Sequence, residues 1–399
     1  MLHARHAARM TAATPPLSTE IAAVLILVLA AGPVAPRRAL LQRFGSATAA
    51  LKAGNAGWQQ AGCTPGQCHA LARPDATALA RGLRWLEEPA HHLISAEHED
   101  FPPLLARSPW PPLALFVDGD PLCLWQPAIA VVGTRTPSPS GGDTARAFAQ
   151  TLAREGLLIG SGLAAGVDAI AHRAALDAGQ ATLAVIGTGV DIAYPRHHRR
   201  LQAHIASSGA VISEYPPGTP ARAGQFPARN RLLAALTLGT VVIEAAERSG
   251  ALITARLAAD AGREVFAVPG SIYNPMARGC HRLIRQGVAL VQEPGDIISA
   301  LAPVASELGQ ALRSRLLAPI QQVQPAPAPA AAPPDADYQC LWNALGFDPT
   351  GMDSLIERTG LTAAQLSSML LVMELEGRIT AQHGRYCRTS GSLTSHSVR

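Results

Sequence analysis

The chain has 399 residues, of which 48% are hydrophobic and 16% charged, and its formal net charge is +4. This is an ordinary globular composition with enough apolar mass for a sizeable core, and its length predicts two or three domains. A net charge this small permits a nucleic-acid partner but does not require one. Lys52 is the only lysine, so nearly every cation is an arginine. Arginine suits bidentate phosphate contacts, but codon bias in an Ala-, Pro- and Arg-rich chain is a simpler reason.

The first part of the chain predicts a tail and then a helical domain. Residues 1–17 are polar and unpatterned and are expected to be disordered, whereas residues 18–90 carry helical spacing of apolar residues. Residues 21–32, IAAVLILVLAAG, resemble the core of a signal peptide but are too short to span a membrane. No A-x-A cleavage site follows them in the right place, so we interpret them as a buried helix. The whole region resembles a SAM or helix-hairpin-helix unit, and no membrane attachment is expected.

The six cysteines do not form a pattern typical of metal sites or disulfides. Only Cys63, Cys68 and His69 cluster, and a C-x4-C-H stretch lacks the second ligand pair that zinc needs. We therefore expect no metal and free thiols in a reducing cytoplasm.

Residues 95–305 predict an α/β domain. Short β-branched runs at 114–119, 129–133, 156–160, 181–187, 210–215, 240–245, 264–270 and 288–292 alternate with alanine-rich helical segments. Apolar strands buried on both faces, with helices between them, are typical of a parallel, doubly wound, extended Rossmann-like sheet.

The end of the chain predicts a linker and a small third domain. Residues 320–337 are rich in alternating proline and alanine and cannot build a core, so they are expected to be a linker. Residues 338–388 predict two helices joined by a tight turn at Gly360 and followed by a two-stranded wing, which is winged-helix organisation. Residues 389–399 are expected to be a disordered tail.

Five turns follow predicted strands of the α/β domain, and they are unusually rich in glycine, arginine and aromatic residues. They read GTRTPSPSGG, GSGLAAGVDAIAH, GTGVDIAYPRHHRRL, SEYPPGTPARAGQFPARNRLL and EAAERSGALITA. Turns at the carboxyl ends of parallel strands share one edge of the sheet, where open α/β sheets bind their ligands. Glycines there let a helix N-terminus approach an anion. These turns also fit a single-stranded nucleic acid. Their arginines can contact phosphates, two histidines gain charge below about pH 6.5, and Tyr194 and Phe226 can stack on bases.

Other ligands and reactions fit the same turns less well. GSGLAAG is one residue longer than the dinucleotide fingerprint, follows the third strand and is not succeeded by a strand-ending acid. No G-x-x-x-x-G-K-[ST] motif is present. Asp168 and His172 lie one helical turn apart, but a hydrolytic dyad would need Ser161 as nucleophile, and the G-x-S-x-G elbow is missing. We therefore interpret Asp168 as bonding first-turn amides and His172 as bracing a loop. Glu244 ends a strand at the groove, where it is expected to pair with Arg229 or Arg231 or to be the relic of a catalytic acid.

Many motifs in fixed order between residues 95 and 300 resemble one family, the DprA/Smf DNA-processing proteins. They are VVGTRTP, GSGLAAGVDAIAHRAAL, GTGVDIAYP, ISEYPPGT, FPARNRLLAAL, VVIEAAERSGALITARLAADAGREVFAVPGS and GCHRLIRQGVALV. The helical and winged-helix regions resemble the family more loosely.

The resemblance implies a non-enzymatic, cytoplasmic protein without cofactor. It implies binding of single-stranded DNA, self-association as a homodimer, and loading of the RecA recombinase onto incoming strands during natural transformation. The DNA-binding residues that it implies, together with the aromatic and glycine positions above, are Gly133, Arg135, Gly160, Ser161, Gly162, Tyr194, Arg196, His197, His198, Arg199, Phe226, Arg229, Asn230 and Arg231. The residues expected to support this site structurally are Asp168, His172, Glu244, Ser249 and Gly250.

The chain departs from the family pattern at two positions. His198 and His281 stand where the family usually has asparagine, and the basic residues of the site are arginine and histidine rather than lysine. DNA affinity is therefore expected to rise between about pH 7.5 and 6. The competing hypothesis is a nucleotide-processing, phosphoribohydrolase-like enzyme with a related Rossmann arrangement, for which Glu244 is the candidate acid.

Overall fold

A computed structural model describes residues 19–317, 336–345, 350–375, 379–382 and 385–388. The chain divides into two compact units, residues 1–318 and 319–399, which are described separately. Two expected tails lie outside the described residues, at 1–17 and 389–399. So does the expected linker at 320–337, apart from its last two residues. Residues 336 and 337 already belong to a helix, Ala336–Ala344.

The first unit begins with a helical region. Its helices span Thr19–Leu29, Val34–Phe44, Ala47–Lys52, Gly54–Gln60, Pro65–Ala72 and Ala76–Trp85. Polar residues fix several of the boundaries: Ser46 and Asp75 accept hydrogen bonds from first-turn amides, and Thr64 forms a reciprocal capping box with Gln67. The apolar segment at 21–32 is largely this first helix, with Leu25 and Leu27 fully buried, so the interpretation as a buried helix is confirmed.

A buried arginine closes the first helix at its carboxyl end. The Arg37 guanidinium donates to the carbonyls of Leu27 and Val28, both at 3.0 Å, and to that of Gly32 at 2.8 Å. Arg37 thus satisfies carbonyls at the end of the first helix, where that of Val28 also accepts from the Ala31 amide at 3.1 Å, and it joins the first helix to the second.

The helical region shares its core with the sheet that follows it. Leu113, Ala114 and Phe116 are buried in the same cluster as the helical side chains. At the junction, His91 stacks on Trp85 with ring centroids 4.0 Å apart, and its Nδ1 lies 2.6 Å from the Trp85 carbonyl oxygen. Burial acts to lower the pKa of His91, but the bonds to Asp118 and to the Trp85 carbonyl outweigh it and raise the pKa above its ordinary value.

The described residues of the α/β region form a nine-stranded sheet. Its strands are β1 His91–Ser95, β2 Ala114–Gly119, β3 Ala128–Val132, β4 Leu158–Ser161, β5 Thr182–Val185, β6 Ala210–Ser213, β7 Gly239–Val242, β8 Glu264–Ala267 and β9 Ala289–Leu290, in the order β1-β2-β6-β5-β4-β3-β7-β8-β9. All eight predicted strands are present, although most are shorter than predicted. The seven strands β6-β5-β4-β3-β7-β8-β9, which are neighbours in that order, all run parallel, as predicted. At one edge β2 pairs antiparallel with both β6 and β1, and β1 was not predicted.

Helices cover both faces of the sheet. In β3, Ile129 and Val131 face one buried cluster, which includes side chains of the helices Pro139–Arg154 and Val167–Asp177. Ala130 and Val132 face the other, which includes the helices Gln225–Leu236 and Gly250–Asp260. This alternation is what a doubly wound sheet requires. Further helices of the unit span Pro103–Ala106, Arg199–Ser208, Arg278–Arg285 and Pro294–Leu317.

The second unit is a small winged helix. Its described elements are the helices Ala336–Ala344, Met352–Thr359 and Ala363–Leu375 and a three-stranded sheet of Thr350–Gly351, Arg385–Arg388 and Ile379–Gln382. Gly360 ends the second helix in the left-handed region, at φ 71°, and so makes the predicted tight turn. The predicted two-stranded wing is present, and the short strand at 350 was not predicted.

Candidate nucleic-acid interface

A cavity of about 760 Å³ opens at the carboxyl edge of the parallel strands; we call it the strand-end cavity. It lies where the turns after β3, β4, β5, β6 and β7 meet, and Met276 closes it from the segment after β8. The predicted site residues that line it are Gly133, Arg135, Gly162, Asp168, Tyr194, Phe226, Arg229, Asn230, Ser249 and Gly250.

Three arginines in the lining of this cavity have exposed side chains: Arg135, Arg222 and Arg248. Tyr194 is 47% exposed, and its ring centroid lies 5.0 Å from that of Phe226. The cavity therefore combines exposed cations with an accessible aromatic pair, which suits phosphates and unstacked bases.

The helix Gly250–Asp260 begins at the cavity. Ser249 accepts a hydrogen bond from the Ala251 amide at 3.2 Å and so caps the helix Gly250–Asp260. The positive end of that helix dipole then favours an anion in the cavity.

Arg229 lines the cavity, but its side chain is buried in the protein. Its side chain is only 5% exposed, and Nη1 donates to the carbonyl oxygens of Gly162, at 2.6 Å, and of Val185. Burial lowers the pKa of Arg229, while the nearby Asp168 carboxylate acts to raise it. The guanidinium thus joins two strand-end turns from inside the protein, while its expected contact with DNA stays a prediction.

Gly162 is required by the position of Arg229. A Cβ at this residue would lie 2.5 Å from Nη1 of Arg229, closer than real Cβ atoms approach other atoms. The glycine therefore makes room for a buried cation as well as lying at the cavity wall.

Arg231 is also engaged within the protein. It pairs with Glu214 and donates to the Trp110 carbonyl at 2.6 Å. Burial raises the pKa of Glu214, and Arg231 opposes that shift. Arg231 lies outside the lining of the strand-end cavity, and its expected contact with DNA stays a prediction.

Gly160 and Ser161 belong to β4 rather than to the cavity. The Ser161 hydroxyl is fully buried and donates to the Val131 carbonyl at 2.7 Å. A Cβ at Gly160 would touch Leu233 and Thr237 at 3.3 Å. Of the three residues in the predicted Gly-Ser-Gly turn, only Gly162 reaches the cavity.

Asp168 and His172 do not form a dyad. Asp168 accepts hydrogen bonds from the amides of Gly162, at 3.1 Å, and Ala164, at 3.3 Å. Burial raises the pKa of Asp168, and Arg229 and these amides act against that shift. His172 lies 2.8 Å from the Thr182 hydroxyl, and burial lowers its pKa to about 3, so the imidazole is neutral at physiological pH. Asp168 thus fastens the loop before its helix, while His172 braces the sheet.

The segment after β5 divides into exposed and buried members. Arg196, His197 and Arg199 are exposed and stand outside the cavity lining. His198 is only 3% exposed, and its Nδ1 lies 2.9 Å from the Leu163 carbonyl oxygen. Burial lowers the pKa of His198, which opposes the expected gain of charge below about pH 6.5.

Glu244 pairs with neither Arg229 nor Arg231, which corrects that expectation. Its carboxylate accepts hydrogen bonds from the amide and hydroxyl of Ser138 and, at 2.8 Å, from the Asn274 side chain. The residue itself has φ 53°, a left-handed conformation that L side chains rarely adopt. These three hydrogen bonds tie the turns after β3, β7 and β8 together.

Several functional candidates escaped the sequence prediction. Arg222, Arg248, Ile253, Thr254 and Met276 line the cavity. The two arginines lie inside the strand-end turns already identified, so a count of every cation in those turns would have found them. Ile253, Thr254 and Met276 carry no such signal.

Within the described residues, no group of three or more His, Cys, Asp or Glu side chains is arranged to hold a metal ion. No helix in the same part of the chain is both long and apolar enough to cross a membrane.

Comparison with known proteins assigns the family. A family model described as DNA recombination-mediator protein A matches residues 92–302, and one described as the DprA winged helix domain matches residues 325–385. Protein Smf of Escherichia coli is 41% identical over 331 residues, which cover 83% of this chain and 86% of that protein. DNA processing protein DprA of Streptococcus pneumoniae is 46% identical over 188 residues, 47% of this chain and 66% of that protein.

A solved structure agrees with these matches. The X-ray structure of DNA processing protein A from Streptococcus pneumoniae superposes with a TM-score of 0.62 and 34% identity, covering 69% of this chain and 95% of that one. Fold and sequence together define a Rossmann-like protein of the DNA-processing class with a winged helix. The chain belongs to the DNA recombination-mediator protein A family, also called DprA or Smf.

Proposed function

We propose that this protein binds single-stranded DNA in the strand-end cavity. The observation that carries the proposal is the joint presence there of three exposed arginines and an accessible Tyr194–Phe226 pair. Cations contact the backbone of any strand, and aromatic rings stack on any base, so the combination favours strands without regard to sequence.

Single strands are preferred over duplex for a physical reason. A base reaches Tyr194 only if it is unstacked from its neighbours, and in a duplex that unstacking costs a few kcal/mol per step. A duplex would therefore engage the arginines alone and bind more weakly.

We further propose that the protein is a non-enzymatic recombination mediator of the cytoplasm. In this role it protects incoming DNA, loads RecA during natural transformation and acts as a homodimer. Membership of a family named for recombination mediation supports this role. Assembly of RecA filaments on strands coated with single-strand-binding protein tests the loading step, and sedimentation velocity tests the dimer.

Fluorescence anisotropy with labelled oligothymidylate tests DNA binding directly. Arg135→Ala is expected to weaken binding and to reduce the slope of log affinity against log salt by about 0.7 for one lost phosphate contact. Arg154→Ala, an exposed arginine at the far end of the helix Pro139–Arg154, is the matched control and should bind like the wild type. Binding that is absent or insensitive to salt, with turnover of a mononucleotide that Glu244→Gln abolishes, would instead establish the nucleotide-processing enzyme.

A further inference from the structure

A second cavity, of about 520 Å³, lies between the helical region and the loop after β6; we call it the helical-side cavity. Its apolar wall comes from the end of the first helix and the start of β2, including Val28, Leu29 and Leu113. The facing wall is the segment from Glu214 to Pro220, which contains Tyr215. This volume is within the range of about 300–1,000 Å³ that small-ligand pockets occupy.

The charge of this cavity is strongly one-sided. Its lining contains four arginines, Arg37, Arg81, Arg222 and Arg231, and one carboxylate, Glu214. Arg231 is paired with Glu214, and Arg37 is occupied by backbone carbonyls. Arg81 and Arg222 are exposed, so an anionic ligand would find two available guanidinium groups beside an apolar wall.

The two cavities adjoin each other at Arg222, which lines both. Gln225, in the helical-side lining, accepts a hydrogen bond from the Arg222 amide at 2.8 Å, so the backbone at this boundary is held in place. A strand that leaves the strand-end cavity over Arg222 therefore enters the helical-side cavity without crossing a neutral surface.

We propose that the helical-side cavity holds the next nucleotide of the strand whose preceding nucleotides occupy the strand-end cavity; this inference rests on the proposed function. The base lies against Tyr215 and the apolar wall, and the phosphate lies between Arg81 and Arg222. The helical region thereby becomes a part of the DNA site, through Arg81 on the helix Ala76–Trp85.

The variants follow from the local packing. The guanidinium of Arg81 lies over Gly218, where a Cβ would meet its Nη1 at 2.1 Å. Arg81→Met keeps much of the aliphatic stem in that position and removes only the charge. Arg84→Met, an exposed arginine on the same helix outside the cavity lining, is the matched control. Ala78→Phe fills the cavity without changing its charge, because Ala78 belongs to the lining.

The experiment measures the affinity of oligothymidylates of increasing length by anisotropy. The wild type is expected to gain about tenfold when the strand becomes long enough to reach the second cavity, the effect of stacking one more base. Arg81→Met and Ala78→Phe should lose this gain while binding the shortest strands normally, and Arg84→Met should keep it. Arg135→Ala should weaken strands of every length.

The outcomes separate the two proposals. Suppose that short strands bind and that their binding depends on Arg135. If the gain in affinity with strand length is then absent, or survives both Arg81→Met and Ala78→Phe, the helical-side cavity is not a DNA subsite. If short strands do not depend on Arg135, the proposed function itself fails. Calorimetric titration with deoxythymidine monophosphate tests whether the cavity instead holds a free nucleotide. If Ala78→Phe removes binding of the monophosphate but leaves the affinity for long strands unchanged, the assignment to a continuing strand is overturned.

Discussion

Replacement of the buried Arg229 by methionine separates a structural role from a DNA contact. The side chain is 5% exposed and donates from one nitrogen to the Gly162 and Val185 carbonyls. Methionine fills part of the same volume but donates nothing, so both carbonyls lose this donor within the protein. Each such loss costs about 1–3 kcal/mol, so we expect a loss of about 2–6 kcal/mol in the free energy of unfolding.

Urea unfolding of the full chain, followed by far-ultraviolet circular dichroism, measures this effect. The midpoint of the transition should fall markedly for Arg229→Met, with little change in slope. Arg222→Met provides the matched control because Arg222 lines the same cavity but has an exposed side chain. This control should unfold at the wild-type midpoint and lose DNA affinity. The reasoning is refuted if Arg229→Met unfolds like the wild type and weakens DNA binding as Arg222→Met does.

Three further predictions concern packing and titration. Gly162→Ala should lower the free energy of unfolding by about 1–3 kcal/mol, as overpacking does, because its Cβ would displace Arg229. Gly142→Ala is the control, because the nearest atom to its Cβ would be 3.6 Å away. Thermal melting compares the two variants, and equal melting temperatures would contradict the prediction. His91 has a raised folded pKa, so its stabilisation is fully present below its unfolded pKa of about 6.5 and is lost as pH rises through the folded value. The difference in urea midpoint between wild type and His91→Phe should accordingly shrink from pH 6 to pH 8, and a constant difference would disprove the assignment. His198→Asn should change the pH profile of DNA affinity little between about pH 6 and 7.5, because burial lowers the pKa of this imidazole and so opposes its gain of charge; a profile that this substitution flattens would restore His198 to the binding site.

Much of the sheet could be predicted because its strands are short runs of apolar, often β-branched residues. β2 was predicted with its observed bounds, and the helices that follow β3 and β7 lie where the alanine-rich segments predicted them. The strand β1 was missed because His91 and His92 interrupt its apolar pattern. Strand direction at that edge was also missed, because a continuous apolar run is typical of a parallel strand and β2 is such a run although it pairs antiparallel.

The turns of the candidate site were predicted as a set, whereas its side chains were predicted only in part. The five turns do meet at one edge, because that follows from parallel strands. The sequence could not distinguish Arg229, which is buried, from Arg135, which is exposed, because both are arginines in glycine-rich turns. What separates them is a set of contacts between residues far apart in the chain, such as the bond from Arg229 to Gly162.

The carboxylate of Glu244 has a consequence for the thermodynamics of binding. It reaches 106 positions back along the chain to Ser138 and 30 positions forward to Asn274, so three connecting segments are immobilised when the protein folds. Their conformational entropy is then already lost before a strand arrives, and association need not order them again. DNA binding is accordingly expected to proceed without a slow rearrangement step and with a small heat-capacity change, because little further apolar surface is buried by ordering of the protein.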